Sequence, residues 1–414
     1  MEYNLGDYVD IKRLISDHGY RIKKKVYVKA MEGLYVIKYD KRELCIGNEK
    51  TLGLFRSVIT DGEKILCFAP PKSINFDVFS QSNDFKECRF EEFVEGTMIN
   101  LFWNPIKLDW CIATRSSIGA KCKYNVNSSK TFRHMFLDTM NKQKVEFDMF
   151  DSKYCYSFVL QHPENRIVQP INEPRIVLTN VFCCNTDDKY IVNADSEEFS
   201  RVKKKLENLS NNYIWTPLMI KYPSDNYKNV EDWQSLIEFY SSDNLDYRIQ
   251  GIIAYNGVQR TKFRSKNYER VKHLKGNSPK IQYQYLNLRQ TNKVTEFLYY
   301  YPESRKEFSK LRKQLHGWTN QLYQNYINCY IKKQKPLKEF PYNFKIHMFN
   351  LHMLYIDELR GEKSFVSKKV VVDYVNNLPP PKLMYSLNYI YNKHTDDVFI
   401  SESVGKYKKS DQYV

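Results

Sequence analysis

Apolar and polar residues alternate through much of the first two thirds of the chain. Val26-Tyr27-Val28 and Leu34-Tyr35-Val36-Ile37 carry the two-residue period of half-buried strands. Asp61-Gly62 separates the apolar runs 54–59 and 64–68, and Asn256-Gly257 divides 246–263. Both dipeptides tolerate the positive φ of a tight turn, so each predicts a hairpin. Residues 90–102 read as a third hairpin, two apolar segments around the polar turn Glu95-Gly96-Thr97. Further strands are predicted over 110–116, 155–160 and 175–184. Phe132, Met135, Phe136 and Met140 predict a helix within 124–150, and residues 195–245 read as helices and loops with a basic run at 201–209.

The period changes near Gly276-Asn277-Ser278-Pro279, a turn-rich linker. Beyond it Val294, Phe297, Leu298 and Tyr301, then Phe308, Leu311, Leu315, Trp318, Leu322 and Tyr326, recur at steps of three and four. That spacing is helical. The expected organisation is an α+β chain: a basic, β-rich segment 1–45, with a run Arg21-Ile22-Lys23-Lys24-Lys25, packed on an antiparallel-sheet domain 46–275, then an all-helical domain 280–414.

Composition narrows the class. With 42% hydrophobic and 15% aromatic residues the chain has the apolar surface to fold, which a disordered sequence lacks. A net charge of +16 draws polyanions, so nucleic acid is the first partner to consider. Lysines and arginines interleave with tyrosines over 275–289, where cations can meet phosphates while bases stack on rings. Nine cysteines contain no Cys-x-x-Cys pair and read as reduced core thiols. The start has no apolar leader and no run is long enough to span a bilayer, so a soluble cytoplasmic protein without a membrane partner is expected.

The chemistry gathers at strand ends. Lys72, Glu95-Gly96-Thr97, Arg115, Phe158, Gln250-Gly251 and Lys262-Phe263-Arg264 each lie at or just after a predicted strand, and converging strand ends line clefts. Singly, Lys72, Arg115 and Lys262 are ordinary surface charges, and Phe93 and Phe158 ordinary core aromatics. As an ordered set they resemble the covalent nucleotidyltransferases, most closely the phage-type RNA ligase 1 group and its relatives in large DNA viruses. The resemblance covers about residues 45–275; the helical part is more loosely similar to the accessory domain of that group.

What the resemblance implies is an ATP-grasp-like ligase fold and a three-step reaction. A lysine three residues before a motif glycine takes AMP from ATP, passes it to an RNA 5′-phosphate, and a 3′-hydroxyl displaces it. Glu95-Gly96-Thr97 matches the motif turn, Arg115 the arginine on the nucleotide, Phe158 the aromatic near the base, and Lys262 the phosphate-binding lysine, with Arg264 in place of a second one. Lys72 resembles an upstream Pro-Lys. The family lysine is here Phe93, which cannot form a phosphoramide, and Gln161 and Gln250 stand where carboxylates are usual. An amide is a poorer Mg²⁺ ligand than a carboxylate.

Three readings stay open. In one, the protein is a pseudoenzyme that binds RNA, with or without ATP, with lysyl-adenylate formation impaired. In another, it is an active RNA-repair ligase using ATP, Mg²⁺ and a displaced lysine, Lys72 or Lys262. In a third, it is an interaction component of a viral complex, with a large apolar patch on the helical domain.

Overall fold

A computed structural model describes residues 2–5, 26–124, 129–184, 191–209 and 216–389. The chain divides into two compact units, residues 1–273 and 274–414. The basic run 21–25 lies outside the described residues.

The described part of the first unit contains fifteen strands. They are β1 (Glu2–Asn4), β2 (Val26–Met31), β3 (Leu34–Tyr39), β4 (Val58–Thr60), β5 (Ile65–Phe68), β6 (Arg89–Glu92), β7 (Thr97–Asn104) and β8 (Asp109–Thr114). Then come β9 (Ser117–Ile118), β10 (Tyr154–Gln161), β11 (Arg175–Cys183), β12 (Ile191–Ala194), β13 (Met219–Ile220), β14 (Gly251–Asn256) and β15 (Gln259–Arg264). They form three antiparallel sheets in the orders β1-β12-β11-β10-β7-β8-β9, β13-β6-β14-β15 and β2-β3-β4-β5.

The hairpins expected from Asp61-Gly62 and Asn256-Gly257 are present as β4–β5 and β14–β15. Gly62 and Gly257 take positive φ, and the Asp61 carboxylate closes the first turn by accepting from the Glu63 and Lys64 amides at 2.8 and 2.9 Å. Because β3 pairs with β4, the sheet that begins within residues 1–45 continues past that boundary.

Layering follows from which faces are apolar. One face of the seven-stranded sheet packs on β2–β5, through Phe55, Ile59, Phe68, Phe102 and Phe182. Its other face buries Ile99, Leu101, Tyr156 and Phe158 against α2 (Phe132–Lys142) and α3 (Ser196–Leu209). The β13-β6-β14-β15 sheet covers one face with α1 (Phe76–Ser82) and α4 (Trp233–Ser241), burying Phe79, Phe90, Leu236, Tyr240, Ile252 and Ala254. A further described helix, α5 (Lys266–Lys275), begins in the first unit.

The expected hairpin over 90–102 is not one. β6 pairs with β13 and β14, whereas β7 pairs with β8 and β10, so residues 93–96 carry the chain from one sheet to another. Phe90 and Ile99 therefore serve two different cores. Gly96 makes the crossing possible: its φ is +154°, and a Cβ there would meet the Leu160 carbonyl oxygen and Val159 Cγ1 at 2.5 Å.

In the second unit the described regular elements are helical, with α6 (Ile281–Gln290), α7 (Val294–Tyr300), α8 (Arg305–Tyr326), α9 (Tyr342–Leu354) and α10 (Lys368–Asn377). α8 buries Phe308, Leu311, Leu315, Trp318, Leu322 and Tyr326, the stripe legible in the sequence. α9 exposes Tyr342, Ile346 and Phe349 at helical spacing. Cys67, Cys155 and Cys184 are buried, but Cys45 and Cys122 are exposed rather than core. Among the described residues no helix is long and apolar enough to cross a membrane.

Replacing Gly96 by alanine adds both positive-φ strain and a clash with backbone. The substitution is expected to cost about 3 kcal/mol of stability. A urea denaturation midpoint unchanged in Gly96→Ala would contradict the crossing geometry.

Candidate functional site

The uncovered face of the β13-β6-β14-β15 sheet opens onto a cavity of about 560 Å³, bounded also by Met98 and Val159 of the seven-stranded sheet, by Tyr39 of the third and by Arg56 in the loop before β4. Its size lies within the roughly 300–1,000 Å³ usual for ligand sites. The sheet supplies its floor by strand alternation. Phe90, Ile252 and Ala254 point into the helix-covered core, whereas Glu91, Ile253 and Tyr255 border the cavity. On β15, Phe263 packs on Phe76 at 4.7 Å, and Arg260, Lys262 and Arg264 border the cavity.

Seven lysines and arginines line this space against two acids, Glu91 and Glu92. How they are held matters more than their number. Lys72 is paired with Glu49 at 3.2 Å and Arg264 with Glu269 at 3.0 Å. Arg56 donates to the Pro70 carbonyl at 3.2 Å, Arg115 to the Arg56 carbonyl at 3.2 Å, and Arg260 to the Pro71 carbonyl at 3.0 Å. Carbonyls orient a guanidinium without neutralising it, so the cavity keeps a positive field. The Arg115 guanidinium also lies 4.9 Å over the Tyr39 ring.

Lys262 is the most perturbed of the set. It has no carboxylate partner among the described residues. Burial, then Arg264, Lys72, Arg56 and Arg260, push its ammonium down to about 7 from an ordinary 10.5. Arg56 is pushed down to about 9, by burial first and Arg260 second. Burial raises both Glu91 and Glu92; Arg89, 3.3 Å from Glu91, pulls the other way.

Of the residues singled out by sequence, Lys72, Phe93, Arg115, Lys262 and Arg264 border this one cavity. The Phe93 ring centre lies 5.9 Å from Lys262 Nζ and 5.4 Å from Arg264 Cζ, and the Phe93 amide donates to the Gly251 carbonyl at 3.0 Å. The others sit behind its walls. Glu95 is buried, and its carboxylate accepts from the Val168 and Gln169 amides at 3.0 Å, so it anchors the crossing rather than facing a nucleotide. Gly96 makes the turn. Gln161 donates its amide to the Glu95 carbonyl oxygen at 2.8 Å. Phe158 is fully buried against Phe136 and Phe150, on the helix-covered face; its neighbour Val159 reaches the cavity instead. Gln250 is buried, with its side-chain oxygen lacking a hydrogen-bond partner.

The sequence reading missed Arg56, Arg260, Glu91 and Glu92. Period-two counting back from Lys262 and Phe93 would have found Arg260 and Glu91; Arg56 carries no local signal. It also missed a β-bulge. The β10–β11 register slips between Ser157 and Phe158, leaving Thr179 unpaired beside Asn180, and both residues reach the cavity.

The residues do not fit a protein-held Mg²⁺. Among the described residues no group of three His, Cys, Asp or Glu side chains could hold a metal, and Gln161 and Gln250 are committed or buried away from the cavity.

An anion here must restore the Lys262 proton. Sulfate, which does not itself titrate near neutrality, is expected to raise Tm more at about pH 6 than at about pH 8, relative to chloride of equal ionic strength. Lys262→Met should lose that difference; equal gains at both values in the unaltered protein would show that Lys262 does not face the anion. Without ligand the sign is set by the lowered value: the folded state is penalised below about 7, and stability climbs as pH rises towards 10.5.

Comparison with known proteins gives a partial match. No protein-family model matches the chain. It is 31% identical over 119 residues to the RNA ligase of Rhodothermus phage RM378, covering 27% of this chain and 26% of that protein. The chain thus matches about a quarter of that relative's length. Among solved structures, a protein of Aquifex aeolicus described as an ATP-dependent DNA ligase has a TM-score of 0.37 at 12% identity, over 84% of this chain and 80% of that one. An archaeal ATP-dependent RNA ligase has a TM-score of 0.38 at 12% identity, over 72% and 74%. The resemblance to RNA ligases drawn from motif order is borne out by the sequence match; no residue role is carried across by any of these likenesses.

Proposed function

We propose that this RNA ligase-like chain binds ATP and 5′-phosphorylated RNA ends in the cavity where its three sheets meet, and that position 93 no longer forms a lysyl-adenylate. One observation carries the reading. Arg56, Arg115, Arg260 and Lys262 border the cavity around Phe93, and among the described residues none of the four is in an ion pair with a carboxylate, Glu91 reaching Arg260 only through its longer-range field. Such a set is costly to bury unless an anion completes it, and a polyphosphate or RNA 5′-phosphate has the matching charge and oxygen geometry.

Phe93 offers a flat apolar face where the family has an amine, which suits stacking on a base and cannot attack phosphorus. On this reading the first unit is an ATP-grasp-like ligase domain and the helical unit carries RNA-binding charge of its own. Residues 274–414 hold 23 lysines and arginines against 12 acids, most of the chain's net charge. Mg²⁺, where used, would enter on the triphosphate.

Binding should favour a 5′-phosphate over a 5′-hydroxyl RNA and weaken with salt, at a slope of about −0.7 per phosphate contacted on a single strand. Arg260→Ala should flatten the slope by about one such contact. Filter binding across a salt series measures both; no RNA binding, or binding indifferent to salt, would sink the proposal.

A further inference from the structure

A second cavity, of about 360 Å³, adjoins the first, and Lys72 and Arg260 border both. The partition between them is the segment 70–74 laid against the start of β15. There the Ile74 amide donates to the Arg260 carbonyl at 2.8 Å, and the Thr261 hydroxyl donates to the Ile74 carbonyl at 2.9 Å. Glu49 braces the other edge, accepting from the Lys72 ammonium at 3.2 Å and from the Asn75 amide at 2.6 Å. The two shared cations therefore stand in a fixed wall with space on either side.

The two spaces differ in chemistry. Beyond the shared pair, the first cavity is lined by five more lysines and arginines, the second by Lys50 alone, set against Glu2 and Glu49. A polyphosphate is repelled there as much as it is attracted. The rest of the second cavity suits an uncharged, partly flat group. Leu54, Ile74 and Val258 give it apolar surface, while Asn4 and Gln259 bring amides that both donate and accept.

We propose that the second cavity takes the nucleoside joined to the 5′-phosphate of an RNA end, with that phosphate held on Arg260 in the wall between the two spaces. The inference rests on the reading that the first cavity binds 5′-phosphorylated RNA. On that reading the Phe93 ring stacks on the base of ATP, so the first RNA base needs a place of its own. A terminal phosphate carries one ester bond, and the chain leaves it in one direction. Apolar walls receive the face of the base, and the amides meet its edge and the sugar hydroxyls. The second space thereby distinguishes the end of a strand from a free nucleotide.

The test uses the full chain and two 5′-phosphorylated tetraribonucleotides that differ only at the first nucleotide, intact in one and abasic in the other. Fluorescence anisotropy is expected to show the intact RNA binding about tenfold tighter, the effect of stacking one base. With 4-thiouridine at that first position, irradiation should crosslink the RNA to residues of the second cavity such as Tyr3 or Gln259, mapped by peptide mass spectrometry. Val258 is exposed in the hairpin between β14 and β15, and Val258→Trp fills the space from its rim. That variant should bind the intact and abasic RNAs equally. Equal affinity of the unaltered protein for the two RNAs, a crosslink outside the second cavity, or an undiminished preference in Val258→Trp overturns the inference and leaves the phosphate-binding reading standing. Absence of binding to either RNA overturns both.

Discussion

The crossing at residues 93–96 is the constraint on which the first unit depends. Four residues must leave the sheet of β6 and enter that of β7 within contact distance of β10. The close approach of Leu160 at Gly96 leaves no space for a side chain. Glu95 then fixes the direction of the crossing: its buried carboxylate takes the amides of Val168 and Gln169, and Gln161 holds its carbonyl. A buried carboxylate satisfied by backbone donors is stable where an unpaired one would not be. Phe93 is carried to the cavity because the three residues after it are committed to the turn.

The cavity is the electrostatic complement of this arrangement. Where three sheets converge, the space between them is lined by strand faces that no helix covers, and on β15 that face is Arg260, Lys262 and Arg264. Backbone carbonyls of Pro70, Pro71 and Arg56 orient the neighbouring guanidiniums. The Pro-Pro step suits this use, since a proline ring leaves its carbonyl free while removing a competing donor. The result is a set of oriented cations in excess over the nearby acids, and with burial it lowers the proton affinity of Lys262.

Much of the fold was legible because its signals are local. Alternation placed β8, β10, β11 and the β14–β15 hairpin, and the three–four spacing of Phe308 to Tyr326 placed α8. The error over 90–102 is instructive. A polar Gly-containing turn between two apolar segments looks alike whether the strands pair with each other or with strands far away in sequence, because the partners β14 and β10 do not enter the local pattern. The same limit explains Phe158 and Val159. Period two says that neighbours face opposite sides, but not which side holds helices and which a cavity.

By itself, then, the sequence determined the composition of the site: which strand ends carry cations, that an aromatic, Phe93, stands three residues before Gly96, and that positions 161 and 250 hold glutamine. These are statements about residue types at fixed spacings, which covalent order preserves. Only the tertiary structure decided what those residues do. It turned Glu95 into a backbone anchor, brought Arg56 and Arg260 beside Lys262, and tied Lys72 to Glu49. Proton affinity and charge balance depend on distances between groups far apart in the chain, and those distances exist only once the three sheets have met.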